Sequence, residues 1–164
     1  MSDRKPSKKY KVVSVGGTFD LLHKGHRTLL LRAFELGEHV LIGVTSDAFV
    51  SKMGKTGKNN YQTRVTNLIN FLNKSFPNTT YEIRPLDAYF GPRIYNSDVE
   101  ALVASEETSN KVNLANKIRI AKGLKPLKLI VIETIKSEDG KPISSTSIRM
   151  GKIDCEGKIL GNEK

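Results

Sequence analysis

One cysteine, Cys155, stands in the 164 residues. A lone cysteine excludes an internal disulfide framework and a cysteine-based zinc site. Long apolar runs are missing too. With 38% hydrophobic residues and a mean hydropathy of −0.35, no stretch approaches the ~20 apolar residues that a bilayer crossing needs. No apolar segment follows Met1, so an ordinary secretory signal is not expected and the cytoplasm is the expected compartment. Acidic residues are outnumbered, 17 Asp+Glu against 27 Lys+Arg, a formal net charge of +10. That sign points to acidic partners: nucleic acid, a membrane surface or phosphorylated small molecules. No tight run of aromatic and basic residues marks an RNA-stacking platform, which leaves a nucleic-acid-binding module as the weaker alternative.

What is present reads as one domain over residues 10–156, between a basic arm at 1–9 and a frayed tail at 157–164. Arg4, Lys5, Lys8, Lys9 and Lys11 face only Asp3, so the arm region holds much of the excess charge. The runs Tyr10–Val15, His39–Ser46, Thr79–Leu86, Ala101–Ser105 and Leu127–Glu133 are β-branched or continuously apolar. Between them, segments with helical spacing begin near His26, Gln62 and Thr108; they carry Leu29, Leu30, Ala33 and Leu36 in the first and Val65, Leu68, Ile69 and Leu72 in the second. Val50–Asn60 is rich in Lys, Gly and Asn and reads as a mobile surface loop. Continuous rather than alternating strands indicate a parallel sheet covered on both faces. The expected fold is α/β: a single doubly wound, parallel, five-stranded, Rossmann-like sheet.

In such a sheet, ligands bind beyond the carboxyl ends of the strands. The first strand-to-helix loop runs Gly16-Gly17-Thr18-Phe19-Asp20-Leu21-Leu22-His23-Lys24-Gly25-His26. It has neither the G-x-G-x-x-G of a dinucleotide fold nor a Walker A loop; the GKT at Gly54–Thr56 has Phe49 where Walker A needs glycine. Two glycines let main-chain N–H groups approach an anion, and Thr18 adds a hydroxyl. His23 and His26 lie three apart at a helix start, near the positive end of its dipole, which should lower the imidazole pKa and leave His26 neutral. Histidines there can also simply cap the helix, and Asp20, His23 and His26 have a spacing open to a metal; the pairing behind G-G-T-F-D favours phosphate.

The string GGTFDLLHKGH resembles the first motif, G-x-F-D-x-x-H-x-G-H, of the cytidylyltransferase-like nucleotidyltransferase superfamily, and ISSTSIR at Ile143–Arg149 resembles its second. Within the superfamily, Thr45–Lys55, Ala101–Ile132 and Ile148–Asp154 are similar to the archaeal and eukaryotic type of phosphopantetheine adenylyltransferase. The resemblance implies a nucleotidyltransferase fold and transfer of AMP from ATP to 4′-phosphopantetheine, giving dephospho-coenzyme A and pyrophosphate in coenzyme A biosynthesis. It implies Mg²⁺ held mainly by the ATP phosphates, with no metal ligand in the protein, and neither nucleic acid nor membrane as a partner.

By the same resemblance, His26 stabilises charge on the transferred phosphoryl group and Lys52 grips the incoming phosphate, with Lys55 as fallback. Thr18 binds at the junction of the two substrates. Gly17, Phe19, His23, Glu107, Ser144, Ser145, Thr146 and Arg149 complete the ATP site; Glu106 and Glu107 also suit a helix start, and Ser144–Thr146 a helix cap. DAYFGP, at Asp87–Pro92, departs from the expected D-x-Y-G-P and contributes no site residue. FAD synthetases and glycerol-phosphate cytidylyltransferases are the nearest alternatives. The latter show R-T-E-G-I-S-T, whereas Asp139-Gly140-Lys141-Pro142 precedes Ile143 here and disfavours CTP.

Overall fold

A computed structural model describes residues 8–54, 58–106 and 108–133. The strands are β1 (Tyr10–Gly17), β2 (Gly37–Thr45), β3 (Tyr81–Leu86), β4 (Val99–Ser105) and β5 (Lys128–Ile132). They form one sheet in the order β3-β2-β1-β4-β5, every pairing parallel. Between them lie the helices α1 (Lys24–Leu36), α2 (Asp47–Lys52), α3 (Tyr61–Ser75) and α4 (Val112–Ala121), with 3-10 turns at Pro92–Tyr95 and Ser109–Lys111.

Successive strand residues point to opposite faces, and both faces are apolar. Val13, Val15, Val40, Ile42 and Val44 pack against Leu30, Ala33 and Phe34 of α1 and Leu68 and Leu72 of α3. Val12, Leu41, Leu102 and Ala104 pack instead with Val112 and Ala115 of α4 and Ile94 of the first 3-10 turn. This two-sided burial is the reason the strand runs are continuous. Because α1 covers one face and α4 the other, the chain leaves neighbouring strands β1 and β4 in opposite directions. A crevice opens between their carboxyl ends, where open α/β sheets hold ligands.

Three local expectations change. The segment from Val50, expected as loop, is helical through Lys52: Ser46 caps α2 by accepting from the Phe49 N–H at 3.1 Å, and Phe49 and Val50 are buried. Helix α1 starts at Lys24 rather than near His26, because His23 supplies its cap. In α3 the buried stripe is Arg64, Leu68 and Leu72, while Ile69 is turned outward. One close approach explains a glycine: a Cβ at Gly43 would lie 2.7 Å from Leu86 Cδ1, so glycine leaves room for the Leu86 side chain to lie over β2. Among the described residues, no helix is long and apolar enough to cross a membrane.

Candidate active site

The glycine loop emerges from β1 at the crevice and turns through Thr18, Phe19 and Asp20 toward α1. Phe19 adopts φ 52°, a left-handed conformation that costs a non-glycine residue about 1–2 kcal/mol. Complete burial of its ring offsets this, since full burial of a phenylalanine side chain contributes ~1.5–3 kcal/mol. Thr18 is held on both sides: its hydroxyl accepts from Thr45 Oγ1 at 3.1 Å, and its carbonyl accepts from Arg64 Nη1 at 2.8 Å.

The two histidines form a reciprocal cap. His23 Nδ1 accepts from the Gly25 N–H at 3.0 Å, and His26 Nδ1 accepts from the His23 N–H at 3.3 Å. Gly25 is required here, because a Cβ would approach the His23 ring to 2.9 Å. An acceptor Nδ1 is unprotonated, so each neutral ring carries its hydrogen on Nε2 and can donate from that side. The imidazoles stack with centroids 3.9 Å apart, and the Phe19 ring lies 5.0 Å from that of His26. Burial lowers the His23 pKa to about 4. Burial, and next the neighbouring His23, lowers His26 to about 3. The expected neutrality of His26 is therefore present, but its leading cause is loss of solvent rather than the helix dipole. Capping and ligand binding also cease to be rival readings, since they use different ring nitrogens.

An open cavity of ≈ 280 Å³ lies beside the glycine loop, lined among others by Thr18, Ser51, Lys58, Asn59 and Arg64. Gly17 and Phe19 adjoin Thr18. Lys52 sits on the exposed last turn of α2, whereas Lys58 provides the lysine on the cavity wall. Glu107, Ser144, Ser145, Thr146, Arg149 and Lys55 lie outside the described residues, as do most of the arm and the tail.

Asp20, weighed from the sequence only as a possible metal ligand, and two residues not anticipated, Asn59 and Arg64, tie the site together. Asp20 accepts from the Lys58 N–H at 2.9 Å and the Asn59 N–H at 3.0 Å. Arg64 also reaches the Asn59 carbonyl and Asp47. The only signal for Arg64 was its spacing of four and eight from Leu68 and Leu72, which puts a cation in an apolar stripe. A smaller groove of ≈ 40 Å³ lies on the α4 side of the sheet, walled by Tyr89 and Phe90 of the DAYFGP loop together with Leu86 and Gly43. The Tyr89 ring meets Phe49 edge-on, and Lys111 Nζ lies 4.4 Å from its centroid.

The metal reading of the motif finds no support in the donor set. Asp20 and both histidine Nδ1 atoms are engaged by main-chain N–H groups, and no cluster of three or more His, Cys, Asp or Glu among the described residues could hold an ion.

Comparison with known proteins agrees with this layout. A curated protein of Methanothermobacter thermautotrophicus named phosphopantetheine adenylyltransferase is 42% identical over 153 residues, 93% of this chain and 92% of its own length. A solved Archaeoglobus fulgidus protein of unknown function superposes with a TM-score of 0.65 at 28% identity, covering 73% of this chain and 87% of the other. A bifunctional NMN adenylyltransferase/ADP-ribose pyrophosphatase of Francisella tularensis shares the fold, with a TM-score of 0.58 at 17% identity over 86% of this chain and 41% of the other. The family model described as cytidylyltransferase-like matches residues 14–151, and the chain belongs to that family.

Proposed function

We propose that this chain transfers AMP from ATP to 4′-phosphopantetheine, releasing pyrophosphate and forming dephospho-coenzyme A. The observation that carries the reading is similarity along nearly the whole length of both chains to a relative of that name. A loop and helix start suited to phosphate, at the switch point of a parallel sheet, support it.

The acceptor phosphate is already an anion. One of its oxygens attacks the α-phosphorus of ATP, a P–O bond forms, and the bond to pyrophosphate breaks. No general base is needed, so catalysis consists of alignment and stabilisation of charge on the equatorial oxygens. His26, neutral and protonated on Nε2, donates to the phosphoryl oxygens without competing for a proton. His23 helps hold the ATP phosphates, and Thr18 stands between donor and acceptor. Lys52, the lysine implied by family resemblance with Lys55 as fallback, or Lys58, on the cavity wall, grips the acceptor phosphate. Gly17 and Phe19 contribute main chain, while Glu107, Ser144, Ser145, Thr146 and Arg149 serve the nucleotide. Mg²⁺, which the family resemblance implies, would be held mainly by the ATP phosphates rather than by side chains of this chain, and would supply further neutralisation of charge there.

The deciding assay offers ATP or CTP with phosphopantetheine, glycerol phosphate or FMN to purified protein. Pyrophosphate release with ATP and phosphopantetheine is expected; release only with CTP, or only with FMN, overturns the reading.

A further inference from the structure

Among the described residues, five polar or charged side chains are buried: Ser14, Asp20, Thr45, Arg64 and Arg119. Three of them, Asp20, Thr45 and Arg64, meet at the Thr18–Asp20 turn. Arg64 is completely buried in α3. It donates from Nη1 to the Thr18 carbonyl at 2.8 Å, from Nε to the Asn59 carbonyl at 3.2 Å and from Nη2 to Asp47 Oδ1 at 3.0 Å. Asn59 in turn donates from Nδ2 to the Asp20 carbonyl at 3.2 Å. The main chain is thus held on each side of Phe19, the described residue of the glycine loop in a left-handed conformation.

Burying a guanidinium is expensive, and a well-packed apolar side chain at such a position is often as stable or more so. Stability alone therefore gives little reason for arginine here. Geometry gives one. The Arg64 guanidinium holds the carbonyl of the peptide between Thr18 and Phe19 in its unusual orientation, and the Phe19 ring carried by that peptide packs on His26.

We infer that Arg64 is a positioning residue: by fixing the Thr18–Phe19 peptide, it sets the Thr18 hydroxyl and, through the Phe19 ring, the His26 imidazole. The catalytic part of this inference rests on the proposed adenylyl transfer; the coupling from Arg64 to His26 does not. Arg119 provides the contrast. It is equally sequestered, but its guanidinium binds the carbonyls of Ile94, Asn96, Val99 and Lys125, remote from the glycine loop in sequence and in hydrogen bonding.

The test compares Arg64→Lys with Arg119→Lys in the full chain, reading kcat, both KM values, melting temperature and the ¹⁵N resonances of His26. Lysine keeps the charge but cannot hold three acceptors in a fork. Expected for Arg64→Lys is a fall in kcat of ~10–100-fold, as for other misplacements near 1 Å, with ATP KM little changed and the His26 resonances shifted. Arg119→Lys lowers the melting temperature but leaves kcat and His26 at wild-type values. If Arg64→Lys melts lower while kcat and the His26 resonances stay wild-type, Arg64 is only structural and the inference fails. Should Arg64→Lys not fold, Asp47→Asn loosens the same fork at its exposed end: a smaller His26 shift supports the coupling, and an unchanged spectrum overturns it. Absence of pyrophosphate release by wild-type protein would defeat the proposed function alone, because the resonances report the coupling without turnover.

Discussion

His23 and His26 stack at 3.9 Å and cap one helix together, each presenting Nδ1 to a main-chain N–H. The arrangement assigns Nδ1 of each ring to the fold and leaves Nε2 outside the cap. It also explains the glycine between the histidines, since the His23 ring lies where a side chain at position 25 would begin.

Replacing His26 by alanine therefore has two consequences. Loss of a donor to a developing phosphoryl charge lowers kcat by ~10²–10³-fold, with ATP affinity within a few-fold, because that contact strengthens chiefly in the transition state. Loss of half the cap lowers stability by about 0.5–2 kcal/mol. Steady-state kinetics and calorimetric ATP binding separate the two; equal losses in kcat and ATP affinity would reduce His26 to a binding role.

Acid should weaken the fold through the same pair. Both folded pKa values, about 4 for His23 and about 3 for His26, lie below the usual 6.5. Between those values and 6.5 the unfolded chain binds more protons than the folded one, so stability falls as pH falls through this window. Denaturant titrations from pH 7 to 4 measure the slope, and His26→Gln should flatten it. Across pH 6–8, kcat should show no inflection from His26.

The two lysines make separable demands on the acceptor substrate. Lys58→Ala, which removes the cation on the cavity wall, should raise the KM for phosphopantetheine by ~10-fold or more, as befits loss of a charge-assisted hydrogen bond. Lys52→Ala should raise it less. The opposite order would return the grip on the phosphate to the last turn of α2.

Gly43→Ala tests the packing behind the site. Its Cβ would meet Leu86 Cδ1 at 2.7 Å, and such overpacking costs about 1–3 kcal/mol. Combination with Leu86→Ala should give strong non-additivity in a double-mutant cycle, because the larger side chain creates the conflict; strict additivity would contradict the contact.

Much of the fold was legible because its signals are local. Val12–Val15, apolar except at the buried Ser14, and Val40–Val44 present apolar or glycine positions to both helix layers, and this separates a covered parallel strand from a half-exposed one. The glycine loop was legible as well, since glycines, a threonine and paired histidines carry their chemistry in their order. Helix α2 was not: its six residues are too few to display a period, and burial of Phe49 and Val50 sustains it.

The remainder depended on partners distant in the chain. Arg64 reads as one more polar residue of an amphipathic helix until Thr18, 46 positions earlier, is brought to its guanidinium. Asp20 reads as a possible ligand until the Lys58 and Asn59 N–H groups, 38 and 39 positions later, occupy its oxygens. Sequence by itself determined the strand and helix order, the two-sided sheet and the phosphate-seeking loop, since periodicity and motif are properties of neighbouring residues. Tertiary structure decided which charges are buried, why the histidines are neutral and what holds Phe19 in its turn, because desolvation and long-range hydrogen bonds exist only after the chain has closed on itself.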